Sequence, residues 1–147
     1  MTLWRVSNRV DLSGEGGRRT SARWHTAGTP VVYLAASAAA ALLEALVHEL
    51  SLDELPDSYQ WLEIDVDDER VHVAPLPPLP STWRSELSTT RAVGDAWLKE
   101  APTLLLGVPS VIVPKSANYL LNPRHADTAY ARIASVIRHP LDPRLIP

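Results

Sequence analysis

The order of strand-like and helix-like segments limits the fold of this chain more than any other feature of its sequence. Two helical segments, Ala38–Leu50 and Thr89–Glu100, are each preceded by two short segments with the alternation or the β-branched residues of strands. A doubly wound parallel sheet requires strands and helices to alternate one by one, which this order does not do. We therefore expect an α+β fold in which a mainly antiparallel sheet is flanked by helices.

The individual strands are predicted from local patterns of apolar and turn-forming residues. In chain order they are Leu3–Ser7, Pro30–Ala35, Tyr59–Val66, a short strand within Val71–Pro80, two strands within Thr103–Pro114 that separate near Gly107–Pro109, and one strand within Ser116–Asp127. The segment Thr128–Ile137 is compatible with either a helix or a strand.

Both helices have apolar residues at helical spacing, which predicts the faces that they bury. Ser37 is expected to cap the first helix, because a serine hydroxyl accepts a backbone N–H of the first turn. The residues predicted to face the core are Leu42, Leu43, Leu46, Val47 and Leu50 in the first helix, and Ala92, Val93, Ala96 and Trp97 in the second.

Length and charge limit the classes of function that the chain can have. With 147 residues, it is long enough for one domain with one core. Its formal net charge of −3 argues against a general nucleic-acid binder, so we expect no direct contact with DNA. Nearly all basic residues are arginines, which suits an anionic small ligand and equally suits a GC-rich genome.

The chain contains no cysteine, which excludes disulfides, a thiolate nucleophile and cysteine-based metal sites. The first residues contain no apolar signal-peptide core, and no run reaches the roughly 20 apolar residues that span a bilayer. We expect a cytoplasmic protein that does not insert into a membrane.

Four unlike side chains cluster around the entry to the second predicted strand. Arg23, Trp24 and His25 precede a Gly-Thr-Pro turn, and Tyr33 follows it among apolar residues. Arg23 is compatible with a surface contact and with a phosphate clamp. Tyr33 is compatible with a core tyrosine and with a platform for a ligand ring. Trp24 is expected to pack, whereas His25 is open between a packing role and a ligand site.

A carboxylate among alanines and leucines marks the first helix. Burying Glu44 is costly unless it has a partner or a function, and an exposed position is the alternative. His48 lies four residues further on, within hydrogen-bonding reach on a helix. Neither an HExxH motif nor a Cys/His cluster occurs, so we predict no metal. Ser116 and Asn118 are turn formers that could also hydrogen-bond a ribose or an amide.

Several stretches taken together resemble the RES domain family. They are LWRVS, LSGEGGRRTSARWHTAGTPVVYLA, ALLEALVH and VPSVIVPKSANYLLNPRH. The family is named for an Arg, a Glu and a Ser, and a Tyr belongs to the same site. On this pattern Arg23, Tyr33, Glu44 and Ser116 take the family's positions. The resemblance extends from Leu3 to about His125 and implies a single RES domain over residues 1–147.

The resemblance implies a function and a partner. RES proteins are the toxins of bacterial toxin–antitoxin pairs, and their fold is similar to that of ADP-ribosyltransferase toxins. They consume NAD⁺ by hydrolysis or phosphorolysis, and some ADP-ribosylate a protein. NAD⁺ would be the substrate here, with no other cofactor required. The implied partner is an Xre-type helix-turn-helix antitoxin that forms an oligomer with the toxin and supplies any contact with DNA.

Roles for single residues follow from the same resemblance. Glu44 would stabilise the oxocarbenium-like ribose cation that forms when nicotinamide leaves, and Tyr33 would stack on or orient the nicotinamide ribose end. Arg23 would clamp a phosphate or a ribose, with help from Arg5. Ser116 would position the ribose or the amide, and Asn118 belongs to the same pocket. A non-catalytic module that binds a nucleotide or a partner protein is the competing hypothesis.

Overall fold

A computed structural model of the chain describes residues 1–48 and 59–145. The strands in these residues are β1 (Thr2–Ser7), β2 (Val32–Ala35), β3 (Gln60–Val66), β4 (Val73–Ala74), β5 (Leu105–Pro109), β6 (Ala117–Leu121) and β7 (Ala131–Ile137). The α-helices are α1 (Glu15–Arg19), α2 (Ala38–His48) and α3 (Leu87–Glu100), and short 3-10 helices occur at Trp83–Ser85, Ala126–Tyr130 and Pro143–Leu145. None of the described helices is both long and apolar enough to span a bilayer.

The described strands form one sheet in the order β4-β5-β6-β2-β1-β3-β7. Neighbouring strands are antiparallel except β4 and β5, which run parallel. The predicted α+β fold with a mainly antiparallel sheet is therefore confirmed. The segment that was compatible with a helix or a strand forms a 3-10 turn followed by β7, which pairs with β3 at an edge of the sheet.

The sheet is weakly joined at its centre. β1 and β2 are both fully described, and they pair at one position, Trp4 opposite Ala35. β1 and β3 in contrast pair along their whole length, from Thr2 opposite Asp65 to Ser7 opposite Gln60. Because β1 and β2 share one pair, the two halves of the sheet diverge there and leave room for a cavity.

Two apolar clusters cover the two faces of the sheet. Successive side chains of a strand point to opposite faces, so Leu105 packs in one cluster and Leu106 in the other. The second cluster contains three tryptophans, Trp24, Trp83 and Trp97. The expectation that Trp24 packs is thus confirmed, and its ring centroid lies 5.9 Å from that of Trp83.

Helix α2 begins as predicted but buries a different face. Ser37 Oγ accepts the backbone N–H of Ala40 at 3.1 Å, which confirms the cap. Ala41 is buried, whereas Leu43 and Val47 are 41% and 56% exposed, so the prediction that both face the core is wrong. The helix is apolar almost all round, so its sequence does not show which face is buried. The face with the small residue Ala41 packs on the sheet, because small side chains let the helix approach β1 and β2 more closely than Leu43 and Val47 would. Leu50 lies outside the described residues.

Helix α3 also turns a different face inward. Ala92 and Ala96 are exposed, and the buried residues are Thr90, Gly94, Trp97 and Leu98. Of the predicted set, Trp97 is buried and Val93 partly buried. The cause is Gly94: a Cβ built there would lie 1.7 Å from the carbonyl oxygen of Trp24. The helix backbone therefore packs directly against the loop that carries Trp24.

The segment Thr103–Pro114 contains one strand rather than the two predicted. Gly107 lies inside β5, and the chain leaves the sheet after Pro109. Ser110 Oγ accepts the backbone N–H groups of Ile112 and Val113, each at 3.1 Å. These two bonds fold the segment into a turn, so the second apolar run does not pair as a strand.

Candidate active site

A cavity of about 490 Å³ lies where β1 and β2 diverge, a volume in the usual range for small-molecule sites. Its walls come from β1, β2, α2, β6 and the segment around α1. The polar and small residues that line it are Arg5, Ser7, Gly16, Gly17, Thr20, Ser21, Ala22, His25, Tyr33, Ala35, Ala41, Glu44, Ala45, His48 and Asn118. A smaller cavity of about 260 Å³, next to Arg18 and Arg124, contains none of the predicted site residues.

Glu44 forms the charged part of one wall. Its Oε1 accepts hydrogen bonds from Asn118 Nδ2 at 2.7 Å and from Ser110 Oγ at 3.2 Å. Its Oε2 lies 3.4 Å from His48 Nε2, one helical turn away. Ala41 and Ala45 line the cavity beside it, so small side chains leave the carboxylate approachable.

The surroundings of Glu44 keep its carboxylate ionised. Partial burial raises the pKa of Glu44, but hydrogen bonds from His48, Asn118 and Ser110 together outweigh that cost. The net result is a pKa below the ordinary value of 4.5. A fixed negative charge in the wall of a cavity can stabilise positive charge that develops on a ligand.

Ser110 is a site residue that the sequence analysis missed. Its Oγ accepts two backbone N–H groups of the turn, so its own proton is directed to Glu44. Ser116 instead offers its backbone carbonyl to the N–H of Ser110 at 2.9 Å. Neither serine is among the residues that line the cavity, so Ser110 acts on the site through its contact with Glu44. One feature of the sequence could have indicated Ser110: it is the serine directly after a predicted strand. A serine in such a place commonly accepts the backbone N–H of the residue two positions later in the chain.

Tyr33 forms part of a second wall of the cavity, on β2, and its hydroxyl is bound inside the protein. The Tyr33 oxygen accepts the backbone N–H of Trp24 at 3.2 Å and lies 2.8 Å from His25 Nδ1. Burial raises the pKa of the Tyr33 phenol well above its ordinary value, which keeps the phenol protonated. The ring is therefore the part of Tyr33 that is available to a ligand.

The two predicted arginines occupy different places. Arg5 lines the cavity, and its Nη1 donates to the Asp11 carbonyl at 3.3 Å. Arg23 is not among the lining residues, because its Nη1 donates to the Arg84 carbonyl at 2.8 Å. The structure thus brings together Arg5, Tyr33, Glu44 and Asn118 of the predicted set, while Arg23 and Ser116 lie outside this group.

The whole chain resembles one family of proteins. A family model described as RES domain matches residues 2–142. A relative named Toxin Res, from Pseudomonas putida, is 46% identical over 134 residues, covering 90% of this chain and 92% of the relative. A Sphingobium protein named Prs ADP-ribosylating toxin is 37% identical over 156 residues, covering 99% of this chain and 96% of the relative.

A solved structure has the same fold. It is the toxin–antitoxin complex MbcT–MbcA of M. tuberculosis, with a TM-score of 0.76, 23% identity, and coverage of 99% of this chain and 86% of that chain. At this identity the likeness concerns the fold alone. The family match and the identities to its curated relatives, each over nearly the whole chain, show that this protein belongs to the RES domain family.

Proposed function

We propose that this protein is the toxin of a toxin–antitoxin pair and that it cleaves the nicotinamide–ribose bond of NAD⁺. The observation that carries the proposal is Glu44: an ionised carboxylate, 25% exposed, that three side chains hold in the wall of a cavity of suitable size. The toxin part of the proposal is also supported by relatives that are named toxins and that match nearly the whole chain.

The chemistry matches the electrostatics of the cavity. Nicotinamide in NAD⁺ is a cationic leaving group, so the reaction needs no general acid, and its barrier is the formation of an oxocarbenium-like ribose. Glu44 would stabilise that cation and accept a ribose hydroxyl. Water or phosphate would then capture the cation at the carbon that nicotinamide has left, with loss of the proton of the attacking group.

Two further groups fit parts of the substrate. Asn118 Oδ1 is buried, and no donor in the described residues reaches it. Because a buried acceptor without a partner is costly, a ribose hydroxyl or the carboxamide N–H₂ of the substrate would satisfy it. The guanidinium of Arg5 would take a phosphate, and the ring of Tyr33 would contact the nicotinamide ribose end.

The serine and arginine of the family pattern need separate treatment. We assign the hydroxyl that supports the carboxylate to Ser110, since it contacts Glu44, and keep Ser116 as the assignment that rests on resemblance alone. Arg23 as a clamp also rests on resemblance, because it would have to leave the Arg84 carbonyl to reach a ligand.

The proposal includes a partner and a location. A free NAD⁺-consuming enzyme would harm its own cell, so we propose that an Xre-type helix-turn-helix antitoxin covers the cavity in an oligomeric complex. That antitoxin, and not this acidic chain, would contact DNA. Both proteins would be cytoplasmic, where NAD⁺ is available, and NAD⁺ would be the substrate with no added cofactor.

The test is nicotinamide release from NAD⁺ by the purified protein, freed of antitoxin. Glu44→Gln should lower release about 100- to 1000-fold, the usual cost of removing one group that stabilises charge in a transition state. The matched control is Glu69→Gln, an exposed glutamate outside the cavity, which should retain full release. A correctly folded Glu44→Gln protein with wild-type turnover would disprove the role of Glu44.

Transfer of ADP-ribose to a protein is the second candidate, and the relative named Prs ADP-ribosylating toxin favours it. Incubation of the protein with labelled NAD⁺ and a cell lysate distinguishes the two activities. Label on a protein band indicates transfer, whereas free ADP-ribose or its phosphate indicates hydrolysis or phosphorolysis. Binding of NAD⁺ by calorimetry without any release of nicotinamide would identify a non-catalytic binding module instead.

A further inference from the structure

His25 is a buried titratable side chain to which the proposed reaction assigns no step. It is 1% exposed, yet it lies at the cavity between two of its walls, Tyr33 and the glycine segment Gly16–Gly17. Each nitrogen of its ring has a partner: Nδ1 lies 2.8 Å from the Tyr33 hydroxyl and Nε2 lies 2.9 Å from the Gly17 carbonyl.

The partners determine which nitrogen carries the proton. The Gly17 carbonyl can only accept, so His25 Nε2 must carry the hydrogen. The Tyr33 oxygen already accepts the N–H of Trp24, and its own proton is therefore directed to His25 Nδ1. With the neutral Nε2–H tautomer, the Trp24 N–H, the Tyr33 hydroxyl, both ring nitrogens of His25 and the Gly17 carbonyl all have a hydrogen-bond partner. An imidazolium would leave the buried proton of Tyr33 without an acceptor.

We propose that His25, fixed as the Nε2–H tautomer by the Gly17 carbonyl, is a positioning residue that sets the orientation of the Tyr33 phenol. Tyr33 lies on β2, Val32–Ala35, and its ring packs partly against the tryptophan cluster. The hydrogen bond to His25 holds the hydroxyl inside the protein and thereby presents one side of the ring to the cavity. Its effect on turnover rests on the proposed function, whereas the tautomer does not.

The backbone around His25 is itself held in place. Thr26 donates its N–H and its hydroxyl to the two Asp95 oxygens at 2.8 and 2.7 Å. On the other side, a Cβ built on Gly17 would lie 2.7 Å from Val31 Cγ1, so the Gly17 segment is packed against the chain that leads into β2. The imidazole therefore joins two parts of the backbone that are fixed independently, as a positioning residue requires.

Two substitutions of His25 separate its two hydrogen bonds. The amide of His25→Asn reaches the place of Nδ1 and can still accept the Tyr33 proton. The amide of His25→Gln reaches the place of Nε2 and can still donate to Gly17, but it leaves Tyr33 without an acceptor. We expect His25→Gln to raise KM for NAD⁺ about tenfold, a moderate loss for a misplaced binding group, and His25→Asn to stay within about twofold of wild type.

Tyr33→Phe tests whether the effect passes through the phenol. Tyr33→Phe alone should raise KM as His25→Gln does, and the double variant should be no worse than either single variant. A purely structural histidine predicts the reverse: Asn and Gln would both lose activity in step with the folded fraction measured by thermal unfolding. Their losses would also combine independently with that of Tyr33→Phe. Either result would overturn the proposal.

A spectroscopic measurement tests the inference without any turnover. In protein with ¹⁵N-labelled histidine, the His25 signal, identified by its loss in His25→Asn, should report the Nε2–H tautomer. Tyr33→Phe should shift the Nδ1 resonance, because the hydrogen bond to it is lost. An Nδ1–H tautomer in the wild-type protein, or an Nδ1 resonance that Tyr33→Phe does not move, would disprove the proposal. Absence of nicotinamide release in the wild type would instead disprove only the proposed function.

Discussion

The two walls of the cavity are built on different principles. The wall that carries Glu44 is a partly exposed helix, and polar side chains from a turn and a strand reach its carboxylate. The wall that carries Tyr33 is held by His25, which is almost completely buried. The first wall controls a charge, and the second controls the orientation of a ring.

Helix α3 supports the second wall, which carries Tyr33, although no residue of α3 lines the cavity. Thr90 Oγ donates to the Arg23 carbonyl at 2.6 Å, and Arg91 Nε donates to the Ala22 carbonyl at 2.8 Å. Asp95 accepts twice from Thr26, and Gly94 lets the helix backbone approach Trp24. Four residues of α3 thus fix the loop from which His25 reaches Tyr33, chiefly by contacts with its backbone. The Glu44 carboxylate, in contrast, is held by hydrogen bonds from other side chains.

Gly94→Ala should disrupt the contact between α3 and the loop that supports the second wall, and it should lower stability most. The added Cβ would lie 1.7 Å from the Trp24 carbonyl oxygen, a backbone atom, so helix and loop must separate. We expect the free energy of unfolding to fall by about 3 kcal/mol or more, beyond the typical cost of overpacking. Chemical denaturation measures it. Gly16→Ala is the control: nothing lies within 4 Å of its Cβ, and its stability should change by less than about 1 kcal/mol.

Thr90→Val should weaken the same wall without a steric clash. Thr90 is 0% exposed, and valine has nearly its shape but leaves the Arg23 carbonyl without the hydroxyl donor. An unpaired buried acceptor costs about 1 to 3 kcal/mol, and this loss should appear in the free energy of unfolding. Ser88→Ala, at an exposed position of the same helix, should leave it unchanged. Equal stability of Thr90→Val and wild type would mean that the Thr90 hydroxyl does not help to hold the loop.

The sequence predicted local features of this region, and of these the helix cap is confirmed. The cap at Ser37 and the candidates Tyr33 and Glu44 came from patterns within a few residues, and the structure brings both candidates to one cavity. Sequence reasoning could not find Gly94, because the need for glycine arises from a loop about 70 residues earlier in the chain.

The serine shows the same limit within one short segment. Ser110 and Ser116 stand on either side of one short apolar segment and both suit a turn, so residue type alone does not distinguish them. Only the antiparallel pairing of β5 with β6 decides the matter: it brings Ser110 to Glu44 and makes Ser116 its backbone partner. Leu43 and Val47 were misjudged for a related reason, since a helix that is apolar all round does not reveal which face the sheet covers.

Ser110→Ala should raise the pKa of Glu44 in the first wall with little change in the shape of that wall. Glu44 acts as a carboxylate, so activity falls when the pH drops through its pKa. That pKa lies below 4.5 in the intact site, so the acid limb of nicotinamide release should lie below pH 4.5. Loss of the Ser110 donor removes one of the bonds that lower the pKa, and the acid limb should move to higher pH.

The control for this pH profile is Ser116→Ala, which removes the other serine hydroxyl. Near neutral pH the Ser110→Ala protein should lose at most about tenfold in rate, because the carboxylate is ionised there and Asn118 still donates to it. Circular dichroism at each pH excludes unfolding as the cause. A shifted acid limb in Ser116→Ala and a wild-type profile in Ser110→Ala would return the role to Ser116.

Val47→Ala should have the smallest effect, because Val47 lies on the exposed face of the helix that carries Glu44. Val47 is 56% exposed, and substitutions at such positions usually change stability by less than about 0.5 kcal/mol. Leu98→Ala on α3 is the contrasting variant: Leu98 is 7% exposed in the tryptophan cluster, and truncation of such a leucine costs about 2 to 5 kcal/mol. If Val47→Ala cost as much as Leu98→Ala, both walls would be held by apolar packing. A loss of unfolding free energy several-fold larger for Leu98→Ala than for Val47→Ala would show that the two walls depend on different interactions. The outer face of α2 would then tolerate change, because the hydrogen bonds of Glu44 hold the first wall. The packing of α3 would not, because it supports the loop that positions Tyr33.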